Sequence, residues 1–316
     1  MEKDRIRRYE QAAELLPPRL RRLAMELPDE RKARVEELRL RVRMPLTALT
    51  PEGELSVAPA DRDALVTSDD LERVVAGVTE YSRYASAEAL RQGYLAVRGG
   101  FRLGVCGTAV MRDGAVCSVK DFSSLALRIV CERIGIAAEI APQLFDDADR
   151  FQSTLILSPP GGGKTTLLRD LIRCLSLGSE AHRALRVAVI DERSELAVSY
   201  QGRAQTELGN HTDVLDGCPK ALGIPMVLRA MAPQIIAADE IATAEDIAAV
   251  CAAANCGVGL LATIHAANVG ELRKKPLWRE LLAAEVFSRA VIVGGDGGAR
   301  TYAVEEIPCS DGSARD

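Results

Sequence analysis

From about Ile134 onward, short, mostly apolar runs alternate with longer segments whose apolar residues recur at helical spacing. The runs Thr154–Leu157, Val187–Ile190, Ile235–Ala238 and Gly259–Ile264 show no polar alternation. Such strands are covered on both faces, which is the mark of a parallel sheet between layers of helices. Lys164–Leu177 and Thr243–Asn255 read as two of those helices. The first carries Leu167, Leu168, Leu171, Ile172 and Leu175 on one face. Before residue 134 the pattern differs. Leu15, Leu16, Leu20 and Leu23 are spaced as in helices, but Pro17 and Pro18 interrupt them and predict two short helices within residues 1–34. Residues 38–44 alternate Leu38, Leu40, Val42 and Met44 with Arg39, Arg41 and Arg43, a half-buried strand with a guanidinium ladder on its other face. Residues 69–79 and 85–92 read as helices, the second stopped by Gly93. Tyr94–Val97 and Phe101–Met111 flank Arg98-Gly99-Gly100 as a hairpin, and Arg112-Asp113-Gly114 marks a second turn. The expected class is α/β: a parallel-sheet core over residues 134–316, preceded by a smaller α+β domain over residues 1–133. The polar tail Cys309–Asp316 is expected to fray.

Composition narrows the function classes. A length of 316 residues fits two domains of ordinary size, and 47% hydrophobic with 27% charged residues fits a folded chain. A net charge of −5 argues against a surface that grips a polyanion everywhere, while leaving room for a local basic patch. Aromatic residues make up only 4%, which disfavours a nucleic-acid reader built on stacking. The eight cysteines form no Cys-x-x-Cys pair, and His182, His211 and His265 do not complete any metal-site spacing. Reduced thiols in a cytosolic chain are expected. The opening segment MEKDRIRRYEQAAELL is too charged for a secretory signal. The uncharged stretch Ile247–Gly270 contains Asn255, His265 and Asn268 and is broken by glycines. It reads as a buried helix, a turn and a buried strand rather than a membrane span. The expected location is cytoplasmic, with any membrane association running through a protein partner.

One segment carries specific chemistry. Ser158-Pro-Pro-Gly-Gly-Gly-Lys164-Thr165-Thr166 follows an apolar strand and opens a helix, the context that a phosphate-binding P-loop requires. Pro160, Gly161, Gly162 and Gly163 let successive backbone N–H groups face one concavity, where the helix N-terminus adds its dipole. Lys164 brings a full charge to the β- and γ-phosphates of ATP, Thr165 can ligate Mg²⁺, and Thr166 extends the cradle. The consensus Gly-x-x-x-x-Gly-Lys-Ser/Thr has glycine where this chain has Ser158. Serine is small, so phosphate binding is expected to survive. Downstream, the apolar strand ending in Asp239-Glu240 supplies in Asp239 a carboxylate to hold Mg²⁺ through water opposite Thr165, and in Glu240 a group to orient or deprotonate the attacking water. The strand Val187–Ile190 runs into Asp191-Glu192-Arg193-Ser194-Glu195, which adds Glu195 as a candidate. The strand through Leu261 ends in Thr263-Ile264-His265, and His265 could sense or donate to the γ-phosphate. All four strand ends fall at the carboxyl edge, where open α/β sheets bind ligands.

These motifs resemble the secretion traffic ATPases of type II and type IV systems, which have a P-loop, an acidic box, an acid-ended strand and a histidine box. Within that superfamily, Glu37–Val42, Gly99–Gly104, Lys120–Leu125 and above all Gly209–Lys220 resemble the stage III sporulation protein AA family. Ser158 and His211 depart from its pattern. The resemblance spans residues 35–306 and implies a RecA-like P-loop ATPase core. It also implies a ring, a hexamer, with nucleotide between subunits, working on membrane-embedded proteins of the channel apparatus between mother cell and forespore, from the mother-cell side. A site between subunits needs a cation against transition-state charge. Arg98, Arg102, Arg128, Arg193 and Arg229 are candidates. Arg102 and Arg128 rank first, because they lie where the small domain approaches the core in similar enzymes. Two other readings stay open: a P-loop motor stimulated by nucleic acid, for which the Arg39/Arg41/Arg43 ladder speaks, and an ATP-gated scaffold with little turnover.

Overall fold

A computed structural model describes residues 2–57, 65–79, 93–129, 132–295 and 300–308. The chain divides into two compact units. Residues 1–131 form the first together with residues 198–205, and the second comprises residues 132–197 and 206–316. A short excursion from the second unit thus belongs with the first.

In the first unit the prolines act as the sequence suggests. α1 (Glu2–Ala13) ends before Pro17, and α2 (Pro18–Met25) starts with proline in its first turn, where a missing N–H costs nothing. The Tyr9 hydroxyl donates to the Ala24 carbonyl at 2.8 Å and ties the two helices together. One further turn, α3 (Asp29–Lys32), leads to β1 (Glu37–Arg41), β2 (Thr47–Thr50) and β3 (Gly53–Ser56). α4 (Ser68–Val78) opens with a reciprocal cap between Thr67 and Asp70. β4 (Tyr94–Val97), β5 (Phe101–Arg112) and β6 (Ala115–Arg128) complete an antiparallel sheet in the order β3-β2-β1-β6-β5-β4. Leu38, Leu40, Leu103, Leu125 and Leu127 are fully buried in its core. The expected helix over 85–92 and the fraying tail from Cys309 lie outside the described residues.

The strand expected over 38–44 stops at Arg41. Arg43 takes a left-handed backbone (φ 66°) that turns the chain, so Met44 is 56% exposed and not part of the apolar face. The guanidinium ladder is two residues long and neutralised within the unit. Arg39 pairs with Glu37, and Arg41 with Glu54 and Thr47.

The second unit is a seven-stranded sheet in the order β13-β12-β7-β11-β10-β8-β9. β7 (Thr154–Ser158), α5 (Lys164–Leu177), β8 (Val187–Asp191), β10 (Ile235–Ala238), α7 (Ala244–Asn255) and β11 (Gly259–His265) are the expected elements. β7, β11, β10 and β8 run parallel side by side. Their alternate residues enter two separate cores. On one face, Ile156, Val189, Ala237 and Leu261 pack against the predicted leucine stripe of α5. On the other, Leu155, Ile190, Ile236 and Ile264 pack against α6 (Lys220–Met231) and α7. Six elements of this unit are not marked by the sequence pattern. They are the parallel edge strand β9 (Thr212–Asp216), α6, the small helices α8 (Val269–Leu272) and α9 (Pro276–Ala283), and the closing hairpin of β12 (Arg289–Gly294) and β13 (Thr301–Glu306). The Ile247–Gly270 stretch is α7, a turn and β11, and no helix among the described residues is long and apolar enough to cross a membrane.

Candidate functional site

β7 delivers the chain to the loop through Ser158, which is fully buried. Pro160 and Gly161 form the exposed tip. Gly161 (φ 74°) and Gly163 (φ 98°) adopt left-handed backbone angles that suit glycine. Gly163 is the N-cap residue of α5, and its carbonyl accepts the first helical bond from Leu167 at 3.0 Å. The N–H groups of the first turn have no partner within the helix and are available to an anion together with the helix dipole.

The departure at Ser158 has a local explanation. Its hydroxyl donates to the Pro159 carbonyl at 3.0 Å, and a Cβ built on Gly162 would fall on its Oγ. The extra glycine at 162 vacates the volume that the serine side chain occupies, so the loop keeps its path.

Lys164 opens α5 and is 6% exposed. Its Nζ lies 2.8 Å from His265 Nδ1 and 3.4 Å from the Ser158 carbonyl. Burial pushes the lysine pKa down, and the nearby Asp239 and Glu240 carboxylates oppose that shift. An ammonium can only donate, so Nδ1 of His265 accepts and its hydrogen resides on Nε2. That Nε2 faces Glu240 Oε1 at 3.4 Å. His265 is brought here by the register of β11, in which it sits opposite Ser158 of β7.

The carboxylates follow β10. The Thr165 hydroxyl donates to Asp239 Oδ2 at 2.7 Å, and the Thr263 hydroxyl donates to Asp239 Oδ1. Thr263 also accepts the Glu240 N–H at 2.8 Å. Thr263 therefore clamps a turn in which Glu240 holds a left-handed backbone (φ 48°), a conformation that costs a non-glycine residue about 1–2 kcal/mol. Thr263 lay in the strand end singled out in the sequence, but its clamping role was not legible there. It depends on β11 lying between β7 and β10.

The acidic box divides its tasks. Asp191 is buried and accepts the N–H groups of Glu195, Leu196 and Ala197 at 2.7, 3.0 and 2.8 Å, which closes the loop after β8. Burial raises its pKa against those three bonds. Glu192 pairs with Lys220, Ser194 with Asp216, and Arg193 with Glu240 at 3.0 Å. Glu195 is half-buried, and its carbonyl accepts from Arg169 of α5 at 2.5 Å. Thr166 borders a shallow recess with Arg169, Asp170 and Arg133.

Lys164, Thr165, Asp239, Glu240, Thr263 and His265 thus form one bonded group, which Arg193 joins through Glu240. Glu195 stands on its margin. Arg102 and Arg128 belong to the first unit, where they oppose each other across β5 and β6, with Arg102 stacked 3.6 Å over the Tyr94 ring. Arg98 is exposed in the turn between β4 and β5, and Arg229 is exposed on α6. Arg300, just before β13, was not singled out by any sequence motif, yet its guanidinium rests on the P-loop and donates to the Gly161 carbonyl at 3.4 Å.

The arrangement fits a magnesium-bound polyphosphate. Thr165 and Asp239 place a hydroxyl and a carboxylate oxygen side by side, hard donors of the kind Mg²⁺ takes when substrate phosphates supply further ligands. Among the described residues no group of three or more His, Cys, Asp or Glu could hold a metal without such help.

A profile of the family described as "Sporulation stage III, protein AA" matches residues 6–306. Stage III sporulation protein AA of Bacillus subtilis (strain 168) is 33% identical over 301 residues, 95% of each chain. Among solved structures, the pilus retraction motor PilT with bound ADP superposes with a TM-score of 0.57 at 17% identity, over 86% of this chain and 78% of that one. The Legionella pneumophila ATPase DotB gives 0.56 at 17%, over 86% and 76%. At that identity the likeness establishes the fold alone, an α/β fold shared with those two proteins.

Proposed function

The chain belongs to the sporulation stage III protein AA family, and from that premise we propose that it is a Mg²⁺-dependent ATPase that drives assembly of, or transport through, the channel apparatus between mother cell and forespore. The observation that carries the reading is the single connected group in which the P-loop lysine hydrogen-bonds the histidine ending β11, that histidine lies 3.4 Å from Glu240, and the P-loop threonine hydrogen-bonds Asp239.

Each residue has a physical task. The loop amides and Lys164 hold the β- and γ-phosphates, and lysine's depressed pKa reflects a burial cost that a bound polyanion offsets. Thr165 and Asp239 would hold Mg²⁺, which supplies charge neutralisation on the phosphoryl oxygens. Glu240 orients and accepts a proton from the attacking water, the work of a general base worth about 10²- to 10⁴-fold in rate. Thr263 fixes the turn that aims it. His265 bridges Lys164 and Glu240, so it can report the filling of the phosphate site to the base. Glu195 flanks the site and serves it more distantly. Arg102 or Arg128 would act from a neighbouring subunit in a homo-oligomeric ring, proposed as a hexamer. The work is delivered to membrane-embedded partners of the sporulation apparatus from the mother-cell cytoplasm.

Phosphate release from Mg-ATP by the full chain tests the assignment. Lys164→Ala and Glu240→Gln should each lose at least 100-fold, and parent-like rates in both would refute the catalytic roles. A second reading, the ATP-gated scaffold, draws support from the Arg193–Glu240 ion pair, which holds the base in a salt bridge. The nucleic-acid motor loses its main support, because Arg39 and Arg41 are already paired with carboxylates.

A further inference from the structure

Among the described residues at the P-loop, Arg300 is left without a task by the mechanism above. The sheet topology puts it there. β12 runs parallel to β7, so both end at the same edge, and β13 starts back from that edge opposite the end of β12. The residue just before β13 therefore emerges beside the loop that follows β7.

Its surroundings are those of a cation awaiting an anion. The guanidinium fills the space that a Cβ on Gly163 would need and, among the described residues, makes one long bond, 3.4 Å, to the Gly161 carbonyl. Among the described residues no carboxylate pairs with it. Other arginines of this unit are held closely: Arg169 by the carbonyls of Glu195 and Leu196, Arg173 by Asp170, and Arg193 by Glu240. A purely structural arginine would be expected to make such short bonds. Here an exposed guanidinium instead sits on a glycine loop that already carries Lys164. Two cations at one loop repel each other in the free chain, and a polyanion relieves both. Exchanging one long carbonyl bond for phosphate oxygens costs little, and the planar guanidinium fork suits phosphate better than an ammonium does.

We infer that Arg300 is a second cationic ligand of the polyphosphate, supplied by the same chain as the P-loop and independent of any arginine from a neighbouring subunit. The inference rests on the nucleotide reading above and adds a residue to it.

The test is binding of a non-hydrolysable ATP analogue and of inorganic tripolyphosphate, which lacks base and ribose, to the full chain by calorimetry. Arg300→Ala should weaken both by about 10- to 100-fold, as expected for a charge-assisted contact. Arg300→Lys should recover part of the loss, because it keeps the charge but not the fork. Arg300→Gln keeps a polar, unbranched side chain, shorter than arginine's, without the charge; it should behave like the alanine variant, and it replaces that variant if the latter does not fold. Unchanged tripolyphosphate binding in the alanine or glutamine variant would overturn the inference, and so would loss confined to the ATP analogue, which would mark a purely structural lid. Lys164→Ala separates the two levels. A parent that binds neither probe, like Lys164→Ala, refutes the nucleotide reading and this inference together. A parent that binds through Lys164 but is indifferent to Arg300 refutes the inference alone.

Discussion

At Ser158 and Gly162 a departure from the P-loop consensus is repaired by a neighbour four residues on. The serine side chain takes the room that a side chain at 162 would use. Gly162→Ala should therefore overpack a tight loop and cost about 1–3 kcal/mol, while Ser158→Gly combined with Gly162→Ala should restore most of it. Thermal unfolding of the two single variants and the double variant measures that coupling, and strictly additive effects would contradict it. Lys164 makes a second residue-scale prediction. Burial lowers its pKa, so in the pH range between that lowered value and an ordinary lysine's, the unfolded chain binds more protons than the folded one. Stability then rises with pH across that range. Nucleotide affinity moves the other way, because phosphate needs the charged form. Affinity should fall as pH rises through the lowered value, with a proton taken up on binding. Calorimetry in two buffers of different ionisation enthalpy reads that proton, and Lys164→Arg should abolish the uptake.

The elements most legible in the sequence are those whose two cores are uniform. β7, β8, β10 and β11 are apolar on both faces, and the leucine stripe of α5 is continuous, so unbroken apolar runs mark the strands and helical period marks the helix. The same strands placed Lys164, Thr165, Asp239, Glu240 and His265 at one edge. α6 escaped because Gly223 and Pro225 interrupt it, and both are poor helix residues. Packing explains the glycine. A Cβ at 223 would lie 2.9 Å from Ile190 Cγ2 and 3.2 Å from Leu215 Cδ2. Gly223→Ala gains about 1 kcal/mol of helix propensity but meets a stiff, buried methyl, and overpacking costs about 1–3 kcal/mol. The net effect should be destabilising, read as a lowered denaturant midpoint, and a stabilised variant would show that the helix can shift away. β9 escaped because it is a half-polar edge strand whose pattern reads as a loop. Arg300 escaped because its role depends on a hairpin returning to β7 from more than a hundred residues away, which no local pattern encodes. The strand over 38–44 was read too long, because a single left-handed residue, Arg43, cannot be seen in an alternating pattern.

For the whole molecule, a strongly basic face is neither implied by the net charge of −5 nor found at the arginine ladder, whose β1 members are paired. Any affinity for DNA or RNA should be weak and should leave ATP turnover unchanged. The ring predicts that light scattering of the full chain detects a higher assembly with a non-hydrolysable ATP analogue. A monomer at all concentrations, with and without it, would count against a neighbour's arginine and leave Arg300 as the in-chain source of that charge. The central claim, that the bonded group around Lys164 and Glu240 hydrolyses ATP, is tested most directly by a single turnover with enzyme in excess over Mg-ATP, quenched in acid at increasing times. The account predicts complete conversion to ADP and phosphate by the parent and ATP held intact by Glu240→Gln. Intact ATP on the parent, or equal conversion by both proteins, would contradict it.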